Sequence, residues 1–176
     1  MDDKCIAAIS TAPAAGGVAI IRVSGASALE VAQKVFVPAG KTPVSRFRPR
    51  YMYAGNILAA GGITDYGLCV FFRAPHSFTG ENVVELHCHG GVELSRAVLK
   101  QVIASGARPA KAGEFTMRAF INGKISLAAA EGMADMINGE STAEVRAGSL
   151  LYSGRLTQAA VAAQAELTDI LAKIGA

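Results

Sequence analysis

The fold is decided by the stretch Val83-Val84-Glu85-Leu86-His87-Cys88-His89. If it forms a β-strand, the period of two places Val83, Glu85, His87 and His89 on one face and leaves the other face apolar. A buried carboxylate without a partner destabilises a protein, so the face that carries Glu85 should meet a partner, a cavity or water. The stretch therefore predicts a central strand with one side on the core and one side available for binding.

The neighbouring segments predict the rest of a sheet. Gly90-Gly91 ends the strand, and residues 92–104 have the apolar spacing of a helix, whose N-terminus offers free N–H groups. Before the strand, the apolar runs 51–59 and 68–73 flank Gly61-Gly62, which predicts a hairpin or two neighbouring strands of one sheet.

Residues 6–10 and 18–23 predict two further core strands, because both runs are short and apolar. Arg22 lies in the second run, where its guanidinium requires either an acidic partner or an anionic ligand. The residues alone leave both interpretations open.

Two shorter patterns predict helices. Ser27 and Glu30 have the spacing of a capping box at the start of a helix. Residues 113–124 predict one or two helical turns, in which Glu114 and Arg118 are four residues apart and should pair along the helix.

From Ser126 onward the composition is alanine-rich and predicts helices only. One helix should cover residues 127–137, and a second should begin at Ser141 and run to Leu171, with a bend at Gly154. Such apolar helices require further helices or a second copy of the chain to cover them. We therefore expect the chain to be a fragment of a longer protein.

Composition restricts the function classes. Of the 176 residues, 51% are hydrophobic and 18% are charged, which excludes a disordered chain. The net charge of +3 is too small to indicate nucleic-acid binding by itself, although Arg46, Arg48 and Arg50, with Phe47 and Tyr51 among them, are a candidate contact for phosphate and a base. The alternative for this run is a solvated loop.

Cysteine usage and the N-terminus predict the compartment. Three cysteines without a C-x-x-C spacing indicate reduced thiols and the cytoplasm. The N-terminal sequence is charged and no long apolar run follows it, so it predicts neither a signal peptide nor a membrane span.

A metal interpretation of the central strand also exists. Glu85, His87 and His89 are residue types that bind zinc, but no further ligand is evident nearby. We assign no metal-binding residue.

Three separated motifs resemble the N-terminal part of the MnmE/TrmE family of tRNA-modification GTPases. They are residues 16–25 (Gly-Gly-Val-Ala-Ile-Ile-Arg-Val-Ser-Gly), 77–91 and 113–124, and residues 126–137 continue the likeness. The motifs occur in order, so the resemblance covers essentially the whole chain.

The resemblance implies an α+β fold. A mixed-sheet, tetrahydrofolate-binding and dimerising domain related to aminomethyltransferases would occupy residues 1–122, and the first helices of an all-α helical domain would occupy residues 123–176. Arg22, Glu85 and Lys124 would bind 5-formyltetrahydrofolate or a related one-carbon tetrahydrofolate. Glu85 can accept a pterin ring N–H and the adjacent amino group in a bidentate manner, while the two cations take carbonyl or carboxylate oxygens. No catalytic residue is assigned.

The resemblance also implies partners. The full-length protein would be a GTP hydrolase that modifies the wobble uridine of tRNA with an FAD-dependent partner protein, as a cytoplasmic homodimer formed through the N-terminal domain and without a membrane. GTP, magnesium and potassium would bind only in a GTPase domain, whose G-x-x-x-x-G-K-[ST] motif this chain lacks. The arginines at 46–50 are the candidate contact for the tRNA backbone.

The sequence departs from the family pattern in detail. His76 stands where the family usually has Asn and Asn82 where it has Asp, and Cys88 does not correspond to the family's reactive cysteine. Two alternatives remain: a free-standing folate-dependent aminomethyltransferase-like enzyme, in which Glu85 or a histidine transfers protons, and a non-catalytic dimerisation module, in which Arg22, Glu85 and Lys124 form internal salt bridges.

Overall fold

Seven strands form one mixed sheet in the computed structural model, which describes residues 4–174. The strands are β1 (Ile6–Ile9), β2 (Gly16–Ser24), β3 (Phe36–Pro38), β4 (Met52–Leu58), β5 (Thr64–Phe72), β6 (Val83–Gly90) and β7 (Arg108–Pro109). Their spatial order is β3-β4-β5-β6-β2-β1-β7, and all neighbours are antiparallel except β1 and β7. The predicted α+β class with a mixed sheet is confirmed.

The described residues also form six α-helices. They are α1 (Ala28–Val35), α2 (Val92–Ala104), α3 (Glu114–Ile121), α4 (Leu127–Asn138), α5 (Thr142–Tyr152) and α6 (Arg155–Ile174), and a 3₁₀ turn covers Val44–Arg46. The chain divides between Asn122 and Gly123 into two compact units. The sheet and α1–α3 belong to the first unit, and α4–α6 form the second.

The core of the first unit lies between one face of the sheet and the helices α1 and α2. The apolar residues of the central strand, Val84, Leu86 and Cys88, all point into this core and are at most 3% exposed. The helices contribute apolar residues at helical spacing: Val31 and Val35 from α1, and Val98 and Val102 from α2. The alternation predicted for residues 83–89 is therefore confirmed, because burial of the apolar set determines which way the strand faces.

The opposite face of β6 carries the polar residues of the same strand. Glu85 and His87 are half-buried there, and His89 is exposed. Residues that pair directly across neighbouring strands lie on the same face of a sheet. Glu85 pairs with Arg22 of β2 on one side and with Val70 of β5 on the other, so these three strands form this surface. The polar side chains of the central strand therefore lie on the face away from the core, where solvent reaches them.

Two local predictions are wrong. Ser27 makes no side-chain capping bond at α1, and its hydroxyl instead lies 3.2 Å from the thiol of Cys5. The single long helix from Ser141 is in fact two helices, because Gly154 adopts a φ of +72°, a left-handed conformation that interrupts helical hydrogen bonding. Ser141 does cap α5, since its hydroxyl accepts a hydrogen bond from the backbone N–H of Glu144.

In the second unit, α4 and α5 approach each other through glycine. A Cβ atom added to Gly132 would lie 2.5 Å from the carbonyl oxygen of Gly148, so any side chain there would force the helices apart. The longest helix, α6, has no buried residue. Within residues 4–174, no helix has both the length and the apolar character needed to cross a membrane.

Candidate functional site

Arg22 and Glu85 meet on the polar face of the sheet. They are cross-strand partners in β2 and β6, and both Nε and Nη2 of Arg22 lie 2.8 Å from Oε1 of Glu85. Their side chains are 28% and 13% exposed, respectively. The structure therefore brings together two of the three residues that the sequence nominated, in a charge-assisted hydrogen-bonded pair that solvent can reach.

His87 adjoins this pair on the same strand face. Its Nε2 atom lies 3.5 Å from Oε2 of Glu85, which is long for a hydrogen bond, and this buried nitrogen has no hydrogen-bond partner among the described residues. The His87 imidazole and the Arg22 guanidinium lower the pKa of Glu85, although burial opposes them. Glu85 is therefore ionised at neutral pH and can only accept hydrogen bonds.

Two aromatic rings flank Arg22. The guanidinium carbon lies 5.5 Å from the ring centre of Phe78 and 5.8 Å from that of Phe115, within the range of cation–π attraction. Sequence reasoning missed both residues as members of the site. Their positions inside the second and third motifs were the only available signal, because neither has a spacing that relates it to Arg22.

Lys124, the third nominated residue, belongs to the second unit. It is exposed, in the bend between α3 and α4. Arg22 and Glu85 thus belong to the first unit and Lys124 to the second.

The two histidines of the central strand have different surroundings. Nδ1 of His89 lies 2.6 Å from Oδ1 of the buried Asp65, and the backbone N–H of His89 donates to Oδ2 of the same carboxylate. His89 is thus paired away from Glu85 and His87. Within residues 4–174, no three His, Cys, Asp or Glu side chains are grouped so that they could hold a metal ion, which leaves the zinc interpretation without a ligand set.

Cys88 points away from the polar face. Burial, together with the charge of Asp65, raises the pKa of its thiol to about 11. A thiol with so high a pKa is a poor nucleophile at neutral pH.

A second charged group, the Arg118 cluster, is made of Arg118, Glu81, Glu114 and Arg108. Nη1 of Arg118 lies 3.0 Å from both carboxylate oxygens of Glu81, and Nη2 lies 3.4 Å from Oε1 of Glu114. The predicted pairing of Glu114 with Arg118 is confirmed. Arg108 bonds both oxygens of Glu114, and Ser24 donates to Glu81. This cluster fastens α3 to the sheet.

The basic run before β4 separates into surface and core residues. Arg46, Arg48 and Arg50 are exposed, but Phe47 is only 2% exposed and its ring stacks on Tyr53 with 3.7 Å between centroids. Phe47 therefore cannot stack on a nucleic-acid base, and Tyr51 is the exposed aromatic residue of this run.

Comparisons with known proteins identify the same family that the three motifs resemble. A family model described as GTP-binding protein TrmE N-terminus matches residues 5–124. The chain is 40% identical to the tRNA modification GTPase MnmE of Symbiobacterium thermophilum, over 100% of this chain and 39% of that protein. It is 41% identical to the protein of that name from Roseiflexus castenholzii, over 98% of this chain and 37% of the relative.

A further relative, tRNA modification GTPase MnmE of Hydrogenovibrio crunogenus, is 49% identical over 80% of this chain and 30% of its own length. The chain thus spans at most 39% of the length of these three curated relatives. With a family model matched over residues 5–124 and this level of identity, the chain belongs to the TrmE N-terminal family.

Proposed function

We propose that this chain binds 5-formyltetrahydrofolate or a related one-carbon tetrahydrofolate as the carbon donor of a tRNA wobble-uridine modification GTPase, and that it dimerises. The observation that carries this proposal is the Arg22–Glu85 pair, a partly buried ion pair that solvent reaches on the polar face of a sheet whose other face is filled by core. Family membership supports it, because the relatives are named tRNA modification GTPases.

The chemistry of the pair suits a pterin. An ionised Glu85 accepts hydrogen bonds from ring N–H or amino groups, and Arg22 donates to carbonyl or carboxylate oxygens. Lys124 is proposed as a further contact, on the resemblance alone. The protein's part in the reaction is to hold and orient the carbon donor rather than to form a covalent bond with it, so no residue is given a catalytic role.

The rest of the proposal concerns the whole protein. It would act in the cytoplasm with tRNA and with an FAD-dependent partner protein, and would bind GTP, magnesium and potassium in a GTPase domain. The fold of residues 1–122 would be related to folate-dependent aminomethyltransferases. Arg46, Arg48 and Arg50, all exposed, are the proposed contacts for the tRNA backbone.

One observation favours a second candidate function, a dimerisation module without a ligand. Arg22 and Glu85 already neutralise each other, which is also what a purely structural salt bridge does. A titration separates the two candidates.

The test is a calorimetric titration of 5-formyltetrahydrofolate into the chain and into Glu85→Ala. We expect binding to the parent and a loss of about 10-fold to 100-fold in affinity in the variant, because a hydrogen bond to a charged group contributes about 1.5–3 kcal/mol. Glu93→Ala is the matched control, since Glu93 is 84% exposed on α2 and, among the residues that the structure describes, pairs only with Arg96.

The outcomes differ clearly. A parent chain that binds no folate contradicts the proposal and supports the dimerisation module. Equal binding by Glu85→Ala and by the parent moves the site away from the central strand. Aminomethyl transfer by the chain on its own would indicate the free-standing enzyme instead.

A further inference from the structure

The basic residues of the chain are unevenly distributed. Residues 31–64 carry five lysine and arginine side chains and no acidic one, whereas the whole chain has a net charge of only +3. This basic segment therefore carries more than the entire net positive charge, and the rest of the chain is net negative. Its cations are Lys34, Lys41, Arg46, Arg48 and Arg50, and all five are exposed.

The fold places these charges at one edge of the sheet. The basic segment contains β3, which is an edge strand, and β4, which lies beside it. Two strands, β4 and β5, separate β3 from β6, the strand that carries Glu85. The basic segment is thus a surface distinct from the Arg22–Glu85 pair.

The charges of the basic segment are not neutralised within the described part of the chain. All salt bridges found among residues 4–174 involve other cations, so none of these five side chains pairs with a carboxylate there. Lys34 and Arg50 donate side-chain hydrogen bonds only to backbone carbonyl oxygens. Exposed cations without an acidic partner in their own unit are available to the phosphates of a polyanion.

The arginines lie on an ordered stretch, residues 44–51, which we call the arginine loop. The backbone N–H of Arg48 donates to the hydroxyl of Tyr53 at 3.0 Å, and that of Arg50 donates to the carbonyl oxygen of Phe71 at 2.8 Å. Arg50 has a φ of +63°, an unfavourable conformation for a residue with a side chain, and these bonds maintain it. Because the loop is already ordered, a partner that binds it loses little affinity to ordering.

Tyr51 presents an aromatic ring at the end of the arginine loop. The residue is 56% exposed, and its ring makes a T-shaped contact with Tyr53, 4.8 Å between centroids. Tyr53 in turn stacks on the buried ring of Phe47, so Tyr51 is supported from the core. A T-shaped contact covers at most one face of a ring, which leaves the other face of Tyr51 open to a planar group.

A positively charged loop with an open aromatic face suits unpaired nucleotides. Exposed aromatic side chains stack on bases that are splayed out of a helix, while basic side chains follow the backbone. The bases of a duplex are already stacked on one another, so a duplex could use the charges but not the ring of Tyr51.

We propose that the arginine loop binds unpaired nucleotides of RNA and thereby selects a loop of tRNA over its helical stems. Tyr51 stacks on one base, and Arg46, Arg48 and Arg50 contact the flanking phosphates. This inference rests on the proposed function, since it takes tRNA as the RNA that the protein meets. It does not depend on the binding of folate.

The experiment measures fluorescence anisotropy of a short labelled oligouridine and of a labelled RNA duplex of the same length, each titrated with this chain. We expect the parent to prefer the single strand. Tyr51→Leu should lower the affinity for the single strand about tenfold and leave that for the duplex unchanged, because it removes only base stacking. Tyr51→Phe should bind as the parent does, since it keeps the ring.

The arginines are tested separately. Arg48→Gln should weaken binding of both RNAs and make the salt dependence of single-strand binding less steep, by about 0.7 in the logarithmic slope for one lost phosphate contact. Two variants outside the basic segment are the matched controls: Tyr66→Leu, because Tyr66 is 59% exposed on β5, and Arg96→Gln, because Arg96 is 65% exposed on α2. Both should bind as the parent does.

The outcomes separate this inference from the proposed function. A parent that prefers the duplex, or a Tyr51→Leu variant that keeps its affinity for the single strand, overturns the inference. If Arg48→Gln still weakens both RNAs, the proposed contact of the arginines with the tRNA backbone stands without it. Should Tyr51→Leu not fold, as judged by circular dichroism, the parent's preference between the two RNAs still decides.

A membrane is the competing polyanion. Binding to vesicles of phosphatidylcholine and phosphatidylserine, with no binding of either RNA, would overturn both this inference and the tRNA contact of the proposed function. The folate part of the proposed function would be unaffected, because the titration of 5-formyltetrahydrofolate judges it independently.

Discussion

The Arg22–Glu85 pair and the Arg118 cluster use the same chemistry for different ends. In the Arg118 cluster, Arg118 is 6% and Glu114 is 4% exposed, and every carboxylate oxygen of Glu81 and Glu114 accepts a hydrogen bond. The Arg22–Glu85 pair is more accessible, and Oε2 of Glu85 accepts no hydrogen bond from the described residues, with Nε2 of His87 at 3.5 Å. An ion pair becomes a candidate binding site when solvent reaches it and part of its hydrogen-bonding capacity is unused.

The largest expected effect lies in the Arg118 cluster. Arg118→Met should lower the free energy of unfolding by about 3 kcal/mol, because it leaves Glu81 without its cation and removes one of the two cations beside the buried Glu114. Arg96→Met is the matched control: Arg96 is 65% exposed, so its change should cost no more than about 1 kcal/mol. Denaturant unfolding of the chain measures both, and similar values for the two variants would remove the distinction between buried and exposed pairs.

Acid should weaken the same cluster through Glu114. Its hydrogen bonds from Arg108, with help from the Lys111 N–H and the charge of Arg118, lower its pKa from 4.5 to about 2 despite burial. A carboxyl whose folded pKa is depressed stabilises the fold above its unfolded pKa, and this stabilisation disappears as pH falls through the folded value. We expect a loss of about 3 kcal/mol between pH 5 and 2.

The measurement is the free energy of unfolding as a function of pH for the parent chain and for Glu114→Gln. The variant carries no titrating group at this position, so its curve should be flatter by the contribution of Glu114. Parallel curves over this range would show that Glu114 has an ordinary pKa in the folded protein.

The smallest expected effect on stability belongs to the candidate site. Arg22→Gln should cost only about 1 kcal/mol of unfolding free energy, because the pair is partly solvated and water can replace the lost bonds at Glu85. The same variant should bind 5-formyltetrahydrofolate less tightly than the parent. A stability loss as large as that of Arg118→Met would instead identify Arg22 as a structural residue.

Much of the local structure was predictable because it depends on near neighbours in the chain. The alternation at residues 83–89 predicted which side chains face the core, and the apolar spacing at 92–104 predicted the helix α2. The spacing of four residues between Glu114 and Arg118 predicted their ion pair. Gly154 was expected to bend one helix and instead separates two, since a glycine in a helical pattern indicates an interruption without giving its angle.

The amino-acid sequence by itself determined the strand–glycine–helix order, the apolar core face and, through its motifs, the family. Only the tertiary structure decided that Arg22 pairs with Glu85, residues 63 positions apart in the chain. The register between β2 and β6 depends on packing of whole strands, and no local spacing encodes it. Packing likewise decided that Phe78 and Phe115 flank the guanidinium and that one carboxylate oxygen stays available. The solvent access of a side chain and its unused hydrogen-bonding capacity are properties of the folded surface, because both depend on what the other elements cover.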